Sequence, residues 1–348
     1  MLPCLSLGAQ ISTLRPKAIT PKDNMPNKIV VTNPIHDEVR QRLAQYGEVI
    51  MNPLLEPWHP SELAEHLSTA TAMMGFMTDR VDAALLKQAP QLKIVACALK
   101  GFDNYDVAAC TQQGIWFSIV PDLLTEPTAE LALGLAIALG RHVRLGDQQL
   151  RTKAFDGWRA QFFGQGLHNS IAAVVGLGLV GQAITQRLVG FGCKSLLSVD
   201  PQTSIPGIAS CTLAYALQHA DYVFVAVPLT TESLNLIDQV QLAECKPGQL
   251  LINVGRGSVV NEQAVAQALE SGRLAGYAAD VFACEDWALS DRPHEIEPRL
   301  LAHSATVFTP HLGSAVRSVR LAIEQRAADN IIAVLTGSAP PDALNVPL

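Results

Sequence analysis

At 348 residues, 49% of them hydrophobic and 16% charged, the chain has enough apolar material for two well-buried cores of ordinary domain size. Its formal net charge of −7 and its lack of any run of five basic residues argue against a nucleic-acid surface, yet leave room for a local basic pocket that takes a small anion. The longest apolar run, "LALGLAIALG" at 131–140, is too short to span a bilayer, so no membrane association is expected. The seven cysteines show neither C-x-x-C pairs nor metal-type spacing, which points to reduced thiols in a cytoplasmic protein without a bound metal.

Residues 1–24 differ in character from the rest of the chain. Met25 sits just before a first strand pattern, and the segment ahead of it holds Arg15 and Lys17 but no acid until Asp23. A transit peptide and a disordered extension from an upstream start are both open readings; the secretory n-region and h-region are lacking.

From residue 28 short β-rich runs alternate with helical stretches. Strands are expected at "KIVVT" (28–32), "EVIM" (48–51), "TAMMGF" (71–76), "LKIVACA" (92–98) and "IWFSIV" (115–120). Between them lie amphipathic segments such as "HDEVRQRLAQYG" and "PSELAEHLS", the latter with Ser61 expected as N-cap. A long helix is expected over about 125–145, followed by the irregular, aromatic "FDGWRAQFFGQG" (155–166). A second series then runs through "IAAVVG", "LLSVD", "DYVFVAVP", "LLINVG", "AGYAADVF" and "TVFTP", before a final helix over about 314–336. Strand–helix alternation of this kind predicts an α/β protein with parallel, doubly wound sheets.

The most specific motif is "VVGLGLVG", which places Gly176, Gly178 and Gly181 in a G-x-G-x-x-G pattern between an apolar strand and a helix. Gly176 permits the tight turn, Gly178 lets the backbone approach a pyrophosphate, and Gly181 allows close helix–strand packing. The pyrophosphate would rest on N–H groups at the positive end of the helix dipole. Asp200, 19 residues beyond Gly181 at the end of "LLSVD", is placed to accept hydrogen bonds from ribose hydroxyls and to repel a 2′-phosphate. With Pro201 next to it supplying no cation, NAD is favoured over NADP.

Three polar residues stand at the ends of late strands: Arg256 in "NVGRGSVV", Glu285 in "DVFACEDW" and His311 in "TPHLGS". Ligands of doubly wound sheets bind beyond the carboxyl ends of the strands, where these would sit. A histidine held by a carboxylate can serve as general acid or base, and an arginine fork suits a small oxyanion. No H-E-x-x-H or G-x-S-x-G motif accompanies them, so neither a zinc site nor a serine nucleophile is expected.

Together these blocks resemble the D-isomer-specific 2-hydroxyacid dehydrogenase family. The matching stretches are "GLGLVG…VD", "VAVPLTTES", "LINVGRGSVVNEQAVAQALESGRLAGYAADVF" and "VFTPHLGSA", over most of 170–315, with "LKGFDNYDV" matching the family's substrate-binding half. The resemblance implies two Rossmann-like domains with a cleft between them. These would be a substrate-binding (flavodoxin-like) domain from 25–124 plus 315–348 and an NAD-binding domain from 125–314. It implies Arg256, Glu285 and His311 as the catalytic set, with Lys100 added to them here. Cofactor contacts are implied at Leu179 and Val180 within the glycine motif, at Val227 and Pro228 in "VAVPLT", and at Val254 beside Arg256. Further contacts are implied at Asp280, at Gly313 beyond His311, and at Thr128 and Lys100 from the first half. A homodimer is also implied.

Several departures from the common hydroxyacid pattern point one way. Lys100 stands where a small or apolar residue is usual, "AVRSVR" with Arg317 and Arg320 follows the histidine motif, and "EDWALSDRPH" replaces the usual E-P. With "MMGFMTDRVD", "PDLLTEPTAE" and "GWRAQFFGQGL", these look like the phosphite (phosphonate) dehydrogenases of that family. The implied substrate is phosphite, bound by Lys100, Gly101 and Arg256, with Met77 and Trp158 walling the pocket and Ser314 and Arg320 beside it. The same resemblance would place a tyrosine at Phe163, so any polar role there is missing. A glyoxylate- or hydroxypyruvate-reducing D-2-hydroxyacid dehydrogenase is the alternative enzyme. A corepressor-like NAD-sensing binding protein is the alternative class, against which the intact Arg256, Glu285 and His311 speak.

Overall fold

The computed structural model describes residues 27–152 and 155–348; the expected extension at 1–24 lies outside the described residues. Two parallel sheets organise the chain. The first holds β1 (Lys28–Val31), β2 (Glu48–Met51), β3 (Ala72–Gly75), β4 (Ile94–Cys97) and β5 (Trp116–Ser118) in the order β2-β1-β3-β4-β5. The second holds β6 (Ile171–Val175), β7 (Ser195–Val199), β8 (Ala209–Ser210), β9 (Tyr222–Val225), β10 (Gln249–Asn253), β11 (Leu274–Ala279) and β12 (Thr306–Phe308). Its order is β12-β11-β10-β9-β6-β7-β8. Both are doubly wound orders, and each reverses direction at a switch point, beside β1 in the first sheet and between β6 and β9 in the second.

The strands read as continuous apolar runs because helices cover both faces. Val30, Met73 and Val95 point to one side of the first sheet, against Leu63, Leu67 and Phe117. Ile29, Met74 and Ile94 point to the other, against Ile323, Ala327 and Ile331 of the C-terminal helix Arg317–Leu335. That helix therefore belongs to the first core although the second sheet separates them in sequence. Each such fully buried aliphatic side chain contributes roughly 1.5–3 kcal/mol. In the second sheet the helix Thr125–Gly140 lays Ala129, Ala132, Ala136 and Leu139 on Ala172, Val174, Phe224 and Ile252. We infer from these cores a division into 27–124 with 315–348 and 125–314.

Two local expectations are corrected, and one strand was not anticipated. The long helix does not continue to 145: it stops at Gly140, His142 adopts a left-handed φ of 52°, and a separate helix, Val143–Thr152, buries none of its residues. The N-cap of Pro60–Leu67 is His59 rather than Ser61, because Pro60 has no N–H to lose and fits the first helical position. The two-residue β8 carries no apolar pattern that a sequence reading could have found.

Candidate active site

The glycine motif forms the cradle expected of it. Gly176 has φ +90°, and a Cβ there would lie 2.6 Å from Val227 Cγ1. A Cβ on Gly181 would lie 1.8 Å from the Gly176 carbonyl oxygen, so the helix Leu179–Val189 can pack this closely only with glycine at that position. Gly178 caps that helix and faces open space, which leaves its backbone accessible to a phosphate group. Exposed Leu179 and half-buried Val180 open the helix, and half-buried Val227 and exposed Pro228 end the neighbouring strand segment across the switch point. These residues fit a dinucleotide.

Asp200 ends β7 beside this cradle. Its carboxylate accepts hydrogen bonds from the backbone N–H groups of Leu177 at 2.7 Å, Gln202 at 2.9 Å and Thr203 at 2.8 Å. Burial works against its charge, but these three donors hold it below the ordinary carboxylate range. Pro201 beside it is exposed.

His311 and Glu285 meet: His311 Nδ1 lies 2.9 Å from Glu285 Oε2, while Glu285 Oε1 accepts from the Phe282 N–H at 2.9 Å. The second bond fixes the carboxylate, and the carboxylate fixes the ring, leaving Nε2 as the working nitrogen. His311 has a left-handed φ of 55°, a sparsely populated conformation for a residue with a side chain, and its N–H donates to the Asp280 carbonyl at 2.9 Å. The Asp280 carboxylate collects Thr309 Oγ1 and the N–H groups of Leu312 and Gly313. Burial pushes its pKa up against those hydrogen bonds. Thr128 Oγ1 lies beside Gly313 as well, 3.0 Å from where a Cβ would stand. Asp280 and Thr128 thus shape the turn that presents the histidine.

Arg256 follows β10 by way of Val254 and reaches over to the first sheet. Its Nε donates to Asp103 Oδ1 at 3.1 Å and its Nη1 to the Gly255 carbonyl at 3.0 Å. Its Nη2 lies against Gly101, 1.5 Å from the position a Cβ would occupy. The loop at its foot is held twice: Asn253 Nδ2 donates to the Arg256 carbonyl at 2.9 Å, and the buried Asp286 carboxylate accepts from Ser258 N–H at 2.6 Å. Asp103 and Asp286 were not anticipated. Asp103 stands two residues beyond Gly101, inside a stretch read only as a polar turn, and its pairing with Arg256 spans 153 positions.

Lys100 is half-buried beyond β4, and among the described residues no carboxylate or hydrogen-bond acceptor pairs with its ammonium. Burial pulls its pKa down from the usual lysine range, with Asp122 opposing. Arg320 also turns inward. Its Nη1 lies 3.5 Å from the Ala98 carbonyl and 3.4 Å from Ser314 Oγ, and its guanidinium stands 5.8 Å from the Phe76 ring. Burial depresses it as well, against the opposing charge of Glu324. Phe76 precedes Met77, so Met77, Lys100, Gly101, Ser314 and Arg320 belong to the same end of the first sheet, where Arg256 arrives from the second. Arg317, one turn earlier on the helix, is exposed.

Trp158 is not brought to the site. It is 80% exposed and Phe163 is 82% exposed, both on the irregular segment beyond the polar helix Val143–Thr152. Phe163 instead borders a separate cavity of about 260 Å³ with His142, Arg144 and Gln165.

The chain is similar to known proteins in sequence and in fold. Residues 133–313 match the family model described as D-isomer specific 2-hydroxyacid dehydrogenase, NAD binding domain. A glyoxylate reductase of Pyrococcus furiosus is 33% identical over 92% of this chain and 96% of its own length. A glyoxylate/hydroxypyruvate reductase B of Klebsiella pneumoniae is 32% identical over 92% and 99%. Among solved structures, the TT0316 protein of Thermus thermophilus superimposes with a TM-score of 0.84 at 30% identity, covering 91% of this chain and 100% of that one. The NADPH-dependent glyoxylate/hydroxypyruvate reductase of Sinorhizobium meliloti, in complex with NADP and malonate, gives 0.81 at 27% identity, covering 92% and 97%.

Proposed function

This chain belongs to the D-isomer-specific 2-hydroxyacid dehydrogenase family, with that family's NAD-binding domain and oxidoreductase chemistry, and within it we propose that the substrate is phosphite, oxidised to phosphate. The observation that carries this reading is the surplus of cation at one sheet end. Arg256 is already paired with Asp103, yet the half-buried Lys100 and the inward-turned Arg320 add two charges that no carboxylate neutralises by direct contact among the described residues. A 2-hydroxy or 2-keto acid carries one negative charge; phosphite at neutral pH is largely a dianion. In a partly desolvated site each extra ion pair is worth on the order of a few kcal/mol.

When bound, NAD supplies the hydride acceptor. The protein's part is to bind and orient the anion through Lys100, the Gly101 backbone and Arg256, so that its P–H bond faces the cofactor. His311 Nε2, with Nδ1 held by Glu285, takes the proton of the water whose oxygen bonds to phosphorus as the hydride leaves. Asp200, with Pro201 at its side, favours NAD over NADP.

A second reading rests on a specific observation, the glyoxylate reductase names of the relatives, which favour it more directly than phosphite oxidation. There Arg256 would bind the carboxylate of a keto acid and His311 would donate a proton to the carbonyl oxygen. The test is NADH absorbance: production from NAD with phosphite supports the first reading. NADH consumption with glyoxylate, and no production with phosphite, overturns it in favour of the second. Binding of NAD without turnover of any of these would favour a corepressor-like NAD-binding protein.

We also take the chain to work as a homodimer in the cytoplasm. Val143, Leu150, Phe155, Trp158 and Phe163 are exposed apolar side chains within one stretch of the chain, which a second copy would cover. A monomer by light scattering would exclude that arrangement.

A further inference from the structure

Asp79 is a charged residue buried where the proposed reaction gives it no direct task. It lies just beyond β3, is 5% exposed, and gathers two short donors on one carboxylate oxygen, with a hydroxyl beside them. Thr32 Oγ1 donates at 2.5 Å from the end of β1 and Phe76 N–H at 2.7 Å from its own loop, and Tyr105 Oη, from the loop after β4, stands 3.4 Å away. The same two loops are tied by further bonds. Tyr105 Oη donates to the Phe76 carbonyl at 2.7 Å, and Asn104 Nδ2 donates to the carbonyls of Met77, at 3.1 Å, and Asp79. Val81 N–H donates to the Asn104 carbonyl at 3.1 Å, and Asp106 N–H to the Val81 carbonyl at 2.8 Å. Tyr105 comes this close only because Gly75 has no side chain: a Cβ there would sit 2.5 Å from its hydroxyl.

One of these loops carries Met77. The other carries Lys100, Gly101 and Asp103, the residue that aims Arg256. We propose that Asp79 is a positioning residue, whose buried carboxylate locks the Met77 loop to the Lys100–Asp103 loop and thereby sets the affinity of the site for its anionic substrate. The inference rests on the reading that these loops meet the anion, but not on which anion it is. A buried carboxylate held by two short donors gives a single defined geometry, since removing the acceptor orphans the Thr32 hydroxyl and the Phe76 N–H at once. The titratable groups facing it are the Tyr105 hydroxyl and the Cys97 thiol, with Cys110 behind. Burial holds all three above their usual ranges, so Asp79 is the member of this cluster that changes charge in mildly acidic solution.

The test compares Asp79→Ala and Asp79→Asn in the full-length protein, by steady-state kinetics with phosphite and with glyoxylate and by amide hydrogen exchange. An asparagine can present one oxygen to the same two donors; an alanine cannot. Asp79→Ala is expected to raise the KM for the anion about tenfold, with kcat changed far less and the KM for NAD unchanged. Asp79→Asn is expected to restore most of the affinity at neutral pH and to remove the wild-type change in KM between pH 5 and pH 7 that exceeds the substrate's own titration. Wild-type KM values in both variants, or an asparagine variant as impaired as the alanine one, would overturn the proposal. If Asp79→Ala does not fold, Thr32→Val removes a donor to Asp79 and Tyr105→Phe removes the hydroxyl that ties its loop to Phe76; each is expected to give a smaller rise in KM, with no rise in either counting against the proposal. If neither anion is turned over, the substrate reading has failed separately. Amide exchange then decides: faster exchange over 100–106 in Asp79→Ala, with the second sheet unchanged, supports the lock, and unchanged exchange there refutes it.

Discussion

Arg256 and Asp103 pair across the cleft, the guanidinium Nε of one donating at 3.1 Å to the carboxylate of the other, and the two side chains are only 14% and 17% exposed. A pair this sheltered does more than surface ion pairs, whose contribution is usually below about 1 kcal/mol. It fixes which edge of the arginine fork is left for the substrate, since Nη1 is taken by the Gly255 carbonyl and Nη2 is turned to Gly101. Asp103→Asn should keep the fold but let Arg256 swing. The expected result is a loss in kcat/KM of about tenfold or more, and a double-mutant cycle with Arg256→Lys should show coupling of about 0.5–3 kcal/mol. Additivity of the two substitutions would mean that the pair does not position the fork.

Gly101 offers an independent probe of the same geometry. Its φ does not require glycine, so alanine costs the backbone little, but the new Cβ would fall 1.5 Å from Arg256 Nη2. The clash is with the end of a flexible side chain, which moves away. Gly101→Ala should therefore melt within a few degrees of wild type and lose most of its activity. A variant that melts normally and turns over normally would show that Arg256 does not need to lie against residue 101.

Lys100 separates the two substrate readings. Its ammonium is half-buried, and burial already acts against its charge, so it gains most from a ligand that brings two negative charges. Lys100→Ala should raise the phosphite KM by about a hundredfold, on the order of a few kcal/mol, while NAD affinity changes little. With glyoxylate as substrate, the loss should be far smaller. Equal losses with both anions would remove the argument from the second charge, and parallel loss of NAD affinity would mean that the lysine serves the cofactor instead.

The strand ends that carry Arg256, Glu285 and His311 were legible in the sequence because apolar strands, glycine turns and helix starts all leave local patterns. Local pattern also placed every strand of the first sheet. Pairings over long sequence distance were not legible. Asp103 and Asp79 look like any other turn aspartates, and only the folded chain brings the first to an arginine 153 positions away and the second to Thr32 and Tyr105. The break at His142 was hidden for a different reason. The apolar run up to Gly140 passes into a polar helix without a proline, so periodicity alone joins two helices that a left-handed residue separates. The place of Trp158 rests on resemblance alone, since in the single chain its ring is exposed.

Asp79 also has a consequence for stability, opposite in sign to that of an ordinary salt-bridged aspartate. Burial raises its pKa to about 6, against 3.8 for the free side chain, and outweighs the hydrogen bonds from Thr32, Phe76 and Tyr105. The folded state therefore holds a proton that the unfolded state releases. The resulting stabilisation is fully present below about pH 4 and is lost as pH rises through about 6. Its full size is at most about 3 kcal/mol, taking roughly 1.4 kcal/mol for each unit. Other carboxylates, Asp200 and Asp342 among them, are shifted downward and stabilise the fold in the opposite direction, so the net curve does not isolate Asp79. The difference between wild type and Asp79→Asn does, because the carboxamide cannot ionise. Measured by thermal melting over pH 4 to 7, the wild type should lose several degrees relative to the variant as pH rises. A gap that stays constant across that range would show that Asp79 titrates elsewhere and that its charge is already accommodated in the fold.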